Sequence, residues 1–222
     1  MRICFVNRGT VRSYLEQIEK QDPRERADVV LFGFGGGEEV NYERELKGET
    51  RFFEDVAVLS KLQKGLVVCG CVTDTLGHKR KSAVVAERGK LLGVSDMLHA
   101  IDGEVSAGAA LRVYDTKEGK AGVAVAEDLL FYDVVKSLVL CGSDFIVCPF
   151  GKTKGGESVL LRADAYRFGV PILFCADGYC MIVNGKGEVV FASPQSPAFA
   201  GFKTVKQYHL VETRRRGFFK EF

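Results

Sequence analysis

The feature that most constrains the fold is a short apolar run that ends in two carboxylates. Positions 123–126 are apolar without alternation, which is typical of a strand buried on both faces. From residue 133 onward the apolar residues recur at helical spacing instead. In α/β proteins, the residues that follow such a strand line the ligand crevice. Any functional site is therefore expected near Ala126, Glu127 and Asp128.

Composition indicates one globular domain spanning residues 1–222, because no linker interrupts the chain. Apolar residues make up 46% and charged residues 27%, which excludes a disordered chain. A net charge of +2 gives no support to a nucleic-acid or membrane partner, and we expect neither. The basic cluster 214–216 is interpreted as a solvated or subunit-facing tail.

The cysteines favour a cytoplasmic protein. Most of the seven lie in apolar, strand-like segments, which is typical of buried thiols in a reducing compartment. Their spacings match no zinc motif, and the three histidines lie apart from them, so we expect no metal. The glycine cluster 33–37 lacks the spacing of a phosphate-binding loop, and no cofactor is expected. No run approaches the ~18 apolar residues of a membrane span, and residues 1–7 are too short for a signal-peptide core.

The order of elements predicts a layered α/β fold, because hairpins alternate with strand-helix units. Helices are predicted at 10–18, 50–63, 129–141 and 157–168. Strands are predicted at 1–7, 27–32, 66–72, 82–86, 111–114, 120–126, 144–149, 172–175, 179–183, 188–192 and 205–211. Residues 91–105 show no clean period and receive no assignment.

Several segments, in this order, resemble the nitrilase or carbon-nitrogen hydrolase superfamily over nearly the whole chain. They are 27–32, 82–85 with 88–93, 119–128, 142–149, and 162–171 followed by 184–190. The resemblance implies an αββα sandwich of two mixed sheets flanked by helices. It also implies a homodimer with αββααββα layering.

The chemistry of that family requires three groups that this chain lacks. Its members hydrolyse amides or nitriles with a cysteine nucleophile, a glutamate base and a lysine that stabilises the oxyanion. By the resemblance, the glutamate falls at Phe34, the lysine near Met97 and the cysteine at Ala126. Because alanine has no nucleophilic atom, the inherited reaction cannot run through Ala126.

Substitute residues near these positions leave an alternative open. Glu38, Glu39, Glu127 and Asp128 would give a carboxylate-rich pocket, and Cys148 is the nearest thiol by topology. The interpretation we favour is structural: Asp128 caps the following helix and Glu127 lies at its positive end. A buried thiol without a base or cation beside it is usually inert.

Three functional hypotheses follow. The first is a non-catalytic homologue, or pseudoenzyme, whose apolar pocket is filled by side chains or binds a small ligand; exchanging Glu, Lys and Cys for Phe, Met and Ala removes buried charges that are costly to hold. The second is an active amidase or nitrilase that uses the substitute residues. The third is an adaptor or regulatory subunit. We expect a homodimer through helices 129–141 and 157–168 and the C-terminal tail.

Overall fold

A computed structural model describes residues 1–18, 26–35, 39–101, 103 and 105–204. The described residues form thirteen strands, five α-helices and one 3₁₀ helix, Ala126–Leu130. The helices are α1 (Val11–Ile18), α2 (Tyr42–Leu46), α3 (Phe52–Gln63), α4 (Tyr132–Leu140) and α5 (Glu157–Phe168). The strands are β1 (Arg2–Val6), β2 (Val29–Phe32), β3 (Glu39–Asn41), β4 (Leu66–Thr75), β5 (His78–Glu87), β6 (Lys90–Asp96), β7 (Val113–Thr116), β8 (Gly119–Val123), β9 (Phe145–Pro149), β10 (Ile172–Ala176), β11 (Tyr179–Val183), β12 (Val189–Ser193) and β13 (Ala198–Gly201).

The strands form two mixed sheets. The first has the order β13-β1-β2-β4-β5-β6, and β3 pairs with the far end of β4. In it β1, β2 and β4 are parallel neighbours, and the remaining pairs along this order are antiparallel. The second sheet has the order β12-β11-β10-β9-β8-β7, with β8, β9 and β10 parallel. The parallel strands of each sheet therefore present their carboxyl ends at one edge.

Three apolar clusters show how the layers stack. One lies between the sheets, because it joins β1, β2, β4 and β5 of the first sheet to β8, β9, β10 and β11 of the second. Another lies between the first sheet and α1 and α3. The third lies between the second sheet and α4 and α5. The predicted αββα sandwich of two mixed sheets flanked by helices is confirmed.

The predicted helix 129–141 is wrong at its start. The chain first forms the 3₁₀ helix Ala126–Leu130, and α4 begins only at Tyr132. Between them, Phe131 has extended dihedral angles, φ −106° and ψ 111°, which no α-helix accommodates. Predicted helices 50–63 and 157–168 match α3 and α5 closely.

Four elements were not predicted. The strand β6 lies in the unassigned segment 91–105, and β3, α2 and β13 are short elements that the apolar pattern does not mark. The predicted strand 205–211 lies outside the described residues. None of the described helices is long and apolar enough to cross a bilayer.

Candidate functional site

The candidate site lies where the chain leaves β2 and meets the second sheet. The Phe34 backbone N–H donates to the Phe150 carbonyl at 3.0 Å. A Cβ at Gly33 would lie 3.0 Å from that carbonyl oxygen and 3.1 Å from the Cys175 oxygen. Since real Cβ atoms essentially never come closer, glycine lets the two backbones approach. Gly33 therefore joins the two sheets at the edge where their parallel strands end.

The structure brings Phe34, Met97 and Ala126 into one apolar cluster between the sheets. Met97 and Ala126 are each 1% exposed, and Phe34 is partly buried and packs against the same cluster. The Phe34 ring lies over β4, where a Cβ at Gly70 would lie 2.6 Å from Cδ2 of the ring. The three positions implied by the resemblance are therefore occupied by packing groups.

Ala126 has a backbone conformation that is uncommon for alanine. Its φ is +49°, in the left-handed region, and the Asp128 N–H donates back to the Val125 carbonyl at 3.1 Å. This conformation costs a non-glycine residue roughly 1–2 kcal/mol. Such strain clusters at functional sites. The sharp turn that follows β8 therefore has only a methyl group as its side chain at position 126.

The left-handed turn predicts effects of different size for two substitutions at position 126. Ala126→Gly should leave the free energy of unfolding within about 1 kcal/mol of the wild type, because relief of the left-handed strain offsets the lost methyl burial and the greater freedom of the unfolded chain. Ala126→Val should destabilise by about 2–4 kcal/mol, because a β-branched residue is strained at positive φ and overfills the core. Urea denaturation checks both, and equal losses for the two variants would contradict this account of the turn.

Asp128 connects the two sheets and does not cap a helix, so the capping role predicted for it is wrong, whereas Glu127 does lie in the first turn of the 3₁₀ helix. Its fully buried carboxylate accepts from the backbone N–H of Leu98 at 2.7 Å and from that of His99 at 2.9 Å. The His99 Nδ1 lies 3.2 Å from the same carboxylate. The residues at the N-cap positions of the 3₁₀ helix and α4 are Val125 and Phe131, and neither makes a side-chain capping bond.

The electrostatics around Asp128 are dominated by burial, which raises the pKa of its carboxyl although the donated hydrogen bonds lower it. His99 stacks on the Phe131 ring with centroids 3.9 Å apart, and its Nε2 lies 3.6 Å from Asp133. Asp128 thereby fixes the segment that carries Met97 against the segment that carries Ala126.

Glu127 pairs with a lysine that the sequence analysis did not identify. The Lys81 Nζ donates to Glu127 Oε1 at 2.7 Å, and each side chain is 24% exposed. The other carboxylate oxygen, Oε2, is shielded from solvent and has no hydrogen-bond partner among the described residues. The Lys81 carbonyl accepts from the Met97 N–H at 2.8 Å, so this cation lies one strand away from Met97.

The alternation of inward-facing and outward-facing residues along β5 could have identified Lys81 as an inward-facing lysine. Ala83 and Val85 belong to the cluster between the sheets, and Lys81 has the same parity along the strand. A lysine in an inward register is unusual unless it has a partner.

Asp177 is a further carboxylate that the sequence analysis missed. A Cβ at Gly35 would lie 2.5 Å from Asp177 Oδ1, so the carboxylate rests against the loop that follows β2. This oxygen is buried without a hydrogen-bond partner among the described residues. Burial raises the pKa of Asp177, while the Gly35 N–H and the Lys152 charge lower it. Asp177 lies in the turn after β10, and no pattern in the sequence marked it as part of the site.

Three of the predicted pocket candidates lie elsewhere or cannot be placed. Glu39 lies on β3, is exposed, and pairs with Lys79 at 2.9 Å. Glu38 lies outside the described residues. Cys148 is fully buried in the cluster beneath α4 and α5, whereas Ala126 belongs to the cluster between the sheets. Burial, and then the charges of Asp128 and Glu127, raise the pKa of the Cys148 thiol well above its ordinary value.

Metal ligation finds no support in the described part of the chain. No group of three or more His, Cys, Asp or Glu side chains there is placed to hold a metal ion. None of the seven cysteines, all of which lie in the described residues, forms a disulfide, and only Cys141 is exposed.

Comparison with known proteins identifies the fold. No protein-family model matches the sequence, and no curated protein matches it. Among solved structures, a cysteine-to-alanine mutant of the Nesterenkonia AN1 amidase from the nitrilase superfamily matches with a TM-score of 0.76 at 14% identity, over 98% of this chain and 95% of that chain. Saccharomyces cerevisiae Nit3, a member of branch 10 of the superfamily, matches with a TM-score of 0.75 at 15% identity, over 98% and 93%.

A third matching structure contains a bound ligand. The cysteine-to-alanine mutant of the amidase from Nesterenkonia sp. AN1 in complex with butyramide matches with a TM-score of 0.72 at 17% identity, over 90% of this chain and 88% of that chain. The chain therefore has the nitrilase-superfamily fold.

Proposed function

We propose that this protein is a non-catalytic homologue of the nitrilase superfamily that acts as a regulatory protein. The observation that carries the proposal is Ala126, which occupies a strained turn at the end of the parallel strands without a nucleophilic atom. Met97 and Phe34 support the proposal, because these apolar side chains occupy the positions at which the resemblance implies the lysine and the glutamate.

The substitute residues do not supply the missing chemistry. An acyl-transfer reaction needs a nucleophile within hydrogen-bond reach of a base, and donors aimed at the developing oxyanion. The Lys81 ammonium donates a hydrogen bond to the Glu127 carboxylate, which neutralises part of the charge that an oxyanion would need. The thiol of Cys148 lies in a different apolar cluster and is held protonated by its surroundings.

Ammonia release from a panel of small aliphatic amides and nitriles tests the proposal on the full chain. We expect no release above the buffer rate, with or without prior treatment by a thiol alkylator. Release that disappears in Lys81→Met or Glu127→Gln, but persists in the exposed-carboxylate control Glu39→Gln, would show an active hydrolase with substitute residues and would overturn the proposal.

A second candidate function, favoured by Glu127, is retention of a small ligand without turnover. Its Oε2 lacks a partner beside Ala126 in the described structure, and a buried acceptor without a donor costs about 1–3 kcal/mol. A primary amide would donate to that oxygen and accept from Lys81. The amidase mutant that matches in fold was solved with butyramide.

Thermal unfolding with butyramide tests this second candidate. A ligand at 100 times its Kd stabilises the folded state by about 2.7 kcal/mol, so a bound amide should raise Tm. We expect the rise to disappear in Glu127→Gln and to persist in Glu39→Gln. A Tm that does not respond to butyramide would contradict this second candidate.

We further propose a homodimer through α4 and α5. The outer face of this layer exposes six large apolar side chains, whereas on the opposite layer α3 exposes Val58 and α2 exposes Leu46. The exposed large apolar side chains on the α4 and α5 side are Leu130, Tyr132, Leu140, Val159, Leu160 and Tyr166. We also propose a cytoplasmic location, a reducing compartment in which the seven cysteines stay as thiols.

Sedimentation of two matched variants tests the dimer. Wild type should sediment as a dimer. Val159→Glu should be monomeric, because it places a charge in the apolar interface. Val58→Glu, an equivalent change on the opposite layer, should remain dimeric. A monomeric wild type, or identical behaviour of the two variants, would rule out this interface.

A further inference from the structure

Two thiols lie opposite each other on the hairpin that β10 and β11 form. Cys175 and Cys180 are direct partners in the antiparallel register, on either side of the two-residue turn 177–178. Both are fully buried and belong to the cluster between the sheets, so their side chains leave the second sheet on the same face. The hairpin therefore holds two reduced cysteines side by side in the core.

The hydrogen bonds of β10 show how closely this pair is spaced. The Cys175 carbonyl accepts from the Phe150 N–H at 2.7 Å, on the side of β9. Because the N–H and C=O of one strand residue point to the same side, Cys175 directs neither group at Cys180. In such a non-hydrogen-bonded pair the Cα atoms lie about 4.5 Å apart, within the range of roughly 4.4–6.8 Å that disulfides span. The pair therefore meets the backbone requirement for a disulfide.

The register singles out this pair among the seven cysteines. The other four cysteines in strands of the described structure have only other residue types as register partners; they are Cys4, Cys69, Cys71 and Cys148. The seventh, Cys141, is exposed and follows the end of α4. A disulfide within the folded chain is therefore expected at one place only.

The sulfur of Cys175 also faces the segment that carries Phe34. Burial raises the pKa of the Cys175 thiol well above its ordinary value, and the Gly33 N–H, which is directed at the sulfur, lowers it. A Cβ at Gly33 would lie 3.1 Å from the Cys175 carbonyl oxygen, so the two backbones are in contact as well. A change in the position of the Cys175 sulfur therefore removes a contact of Gly33.

Burial makes both thiols slow to react. It raises the pKa of Cys180 to about 11, although the Asn7 side chain lowers it, and the Cys180 thiol donates to the Ser193 carbonyl at 3.3 Å. Because the thiolate is the reactive form, oxidation requires local opening of the hairpin end. The turn residues 177 and 178 at that end are partly exposed. The pair therefore stays reduced in the closed fold and reacts when the hairpin opens.

We propose that Cys175 and Cys180 are a redox switch: hydrogen peroxide converts them to a disulfide, which draws the Cys175 sulfur away from Gly33. The switch does not depend on whether the protein is catalytic or binds an amide. A bond between Cα atoms at the short end of the disulfide range is strained and therefore easily reduced, which makes the switch reversible.

The chemistry of the switch consists of two displacements. The Cys180 thiolate attacks one oxygen of the peroxide, the O–O bond breaks, and the hydroxide that leaves takes up the thiol proton as water; Cys180 is then a sulfenic acid. The Cys175 sulfur attacks the sulfenic sulfur, the S–O bond breaks, and a second water leaves with the Cys175 proton. The two sulfurs lose two electrons in total, and the peroxide gains them. A dithiol reduces the disulfide again by thiol–disulfide exchange.

Peroxide treatment of the full-length variant Cys141→Ser tests the proposal, because this variant lacks the exposed thiol. We expect its mass to fall by two hydrogen atoms, and fragment masses to place the disulfide between positions 175 and 180. Urea below the unfolding transition should speed the reaction, since opening of the hairpin limits it. Dithiothreitol should restore both thiols.

Matched variants in the same background separate this pair from the other buried thiols. Cys175→Ser and Cys180→Ser should each form no disulfide within the chain. Cys71→Ser, which changes an equally buried cysteine of the first sheet, should behave like the background protein. The fragment masses of the background protein decide the question even where a serine variant does not fold.

Hydrogen exchange measures the link to Gly33. Amides over residues 33–35 should exchange about tenfold faster in the oxidised protein than in the reduced one, because the segment has lost a contact that restrains its opening. Exchange over α3 should be the same in both forms, and dithiothreitol should reverse the change over 33–35.

Three results would overturn the proposal. The pair could stay reduced under peroxide both in buffer and in urea below the transition. The folded protein could form a disulfide at other positions instead. Finally, a disulfide between 175 and 180 could leave exchange over 33–35 unchanged, and the bond would then not act on the segment that carries Phe34.

Discussion

Replacing Met97 by lysine is expected to destabilise the fold by roughly 3–5 kcal/mol, the cost of an uncompensated buried charge. Met97 is 1% exposed and packs among apolar side chains between the sheets. An ammonium group there would lose its hydration, and Lys81 already donates to the adjacent carboxylate of Glu127. Urea denaturation of wild type and variant gives the difference directly.

Met97→Leu is the matched control, because it keeps the volume and the apolar character. It should cost less than about 1.5 kcal/mol. If Met97→Lys unfolded at the wild-type midpoint, the new ammonium group would have found a partner such as the free oxygen of Glu127. The site could then accommodate a lysine at position 97, the residue type that the resemblance implies there.

Removal of the Asp128 carboxylate is expected to cost roughly 2–5 kcal/mol. In Asp128→Ala, the backbone N–H groups of Leu98 and His99 lose their acceptor in a buried environment, and each unsatisfied group costs about 1–3 kcal/mol. Asp133→Ala removes an exposed carboxylate that also faces His99, and it should change stability by less than about 0.5 kcal/mol. Similar losses in the two variants would contradict the role assigned to Asp128.

The same residue gives a pH dependence whose sign can be worked out. Burial raises the pKa of Asp128 in the folded state, so the folded protein binds this proton more tightly than the unfolded chain does. The stability that this proton contributes is present in full below the unfolded pKa and is lost as pH rises through the folded pKa. The difference in unfolding free energy between wild type and Asp128→Ala should therefore decrease from pH 3 to pH 7. A difference that increases with pH would mean that the donated hydrogen bonds outweigh burial.

The sequence predicted most of the layer order, because continuous apolar strands and helical stripes follow directly from burial. It also predicted that Phe34, Met97 and Ala126 line one apolar pocket; Met97 and Ala126 belong to the cluster between the sheets, and Phe34 packs against that cluster. These predictions depend on local pattern and on strand order, both of which are visible in a single chain.

The parts that could not be predicted depend on contacts between distant segments. In β6, Leu91 and Leu92 are followed by Gly93 and Ser95, so no alternation marks the strand. Ser95 is buried, and its hydroxyl forms a hydrogen bond of 3.0 Å with that of Tyr114, a residue of the other sheet. The role of Asp128 likewise depends on backbone donors about thirty residues away. The sequence pattern considered only neighbouring residues and therefore predicted that Asp128 caps the helix that follows it.

The ring of Phe34 over Gly70 makes two positions interdependent. A side chain at Gly70 would collide with the ring, since the Cβ alone would lie 2.6 Å from it. Exchange of the ring for a smaller acid would in turn leave a void over a bare strand. Replacement of Phe34 by a smaller acidic residue is therefore expected to lower stability unless the residue at position 70 changes with it. Among descendants of this chain, positions 34 and 70 should change together or not at all.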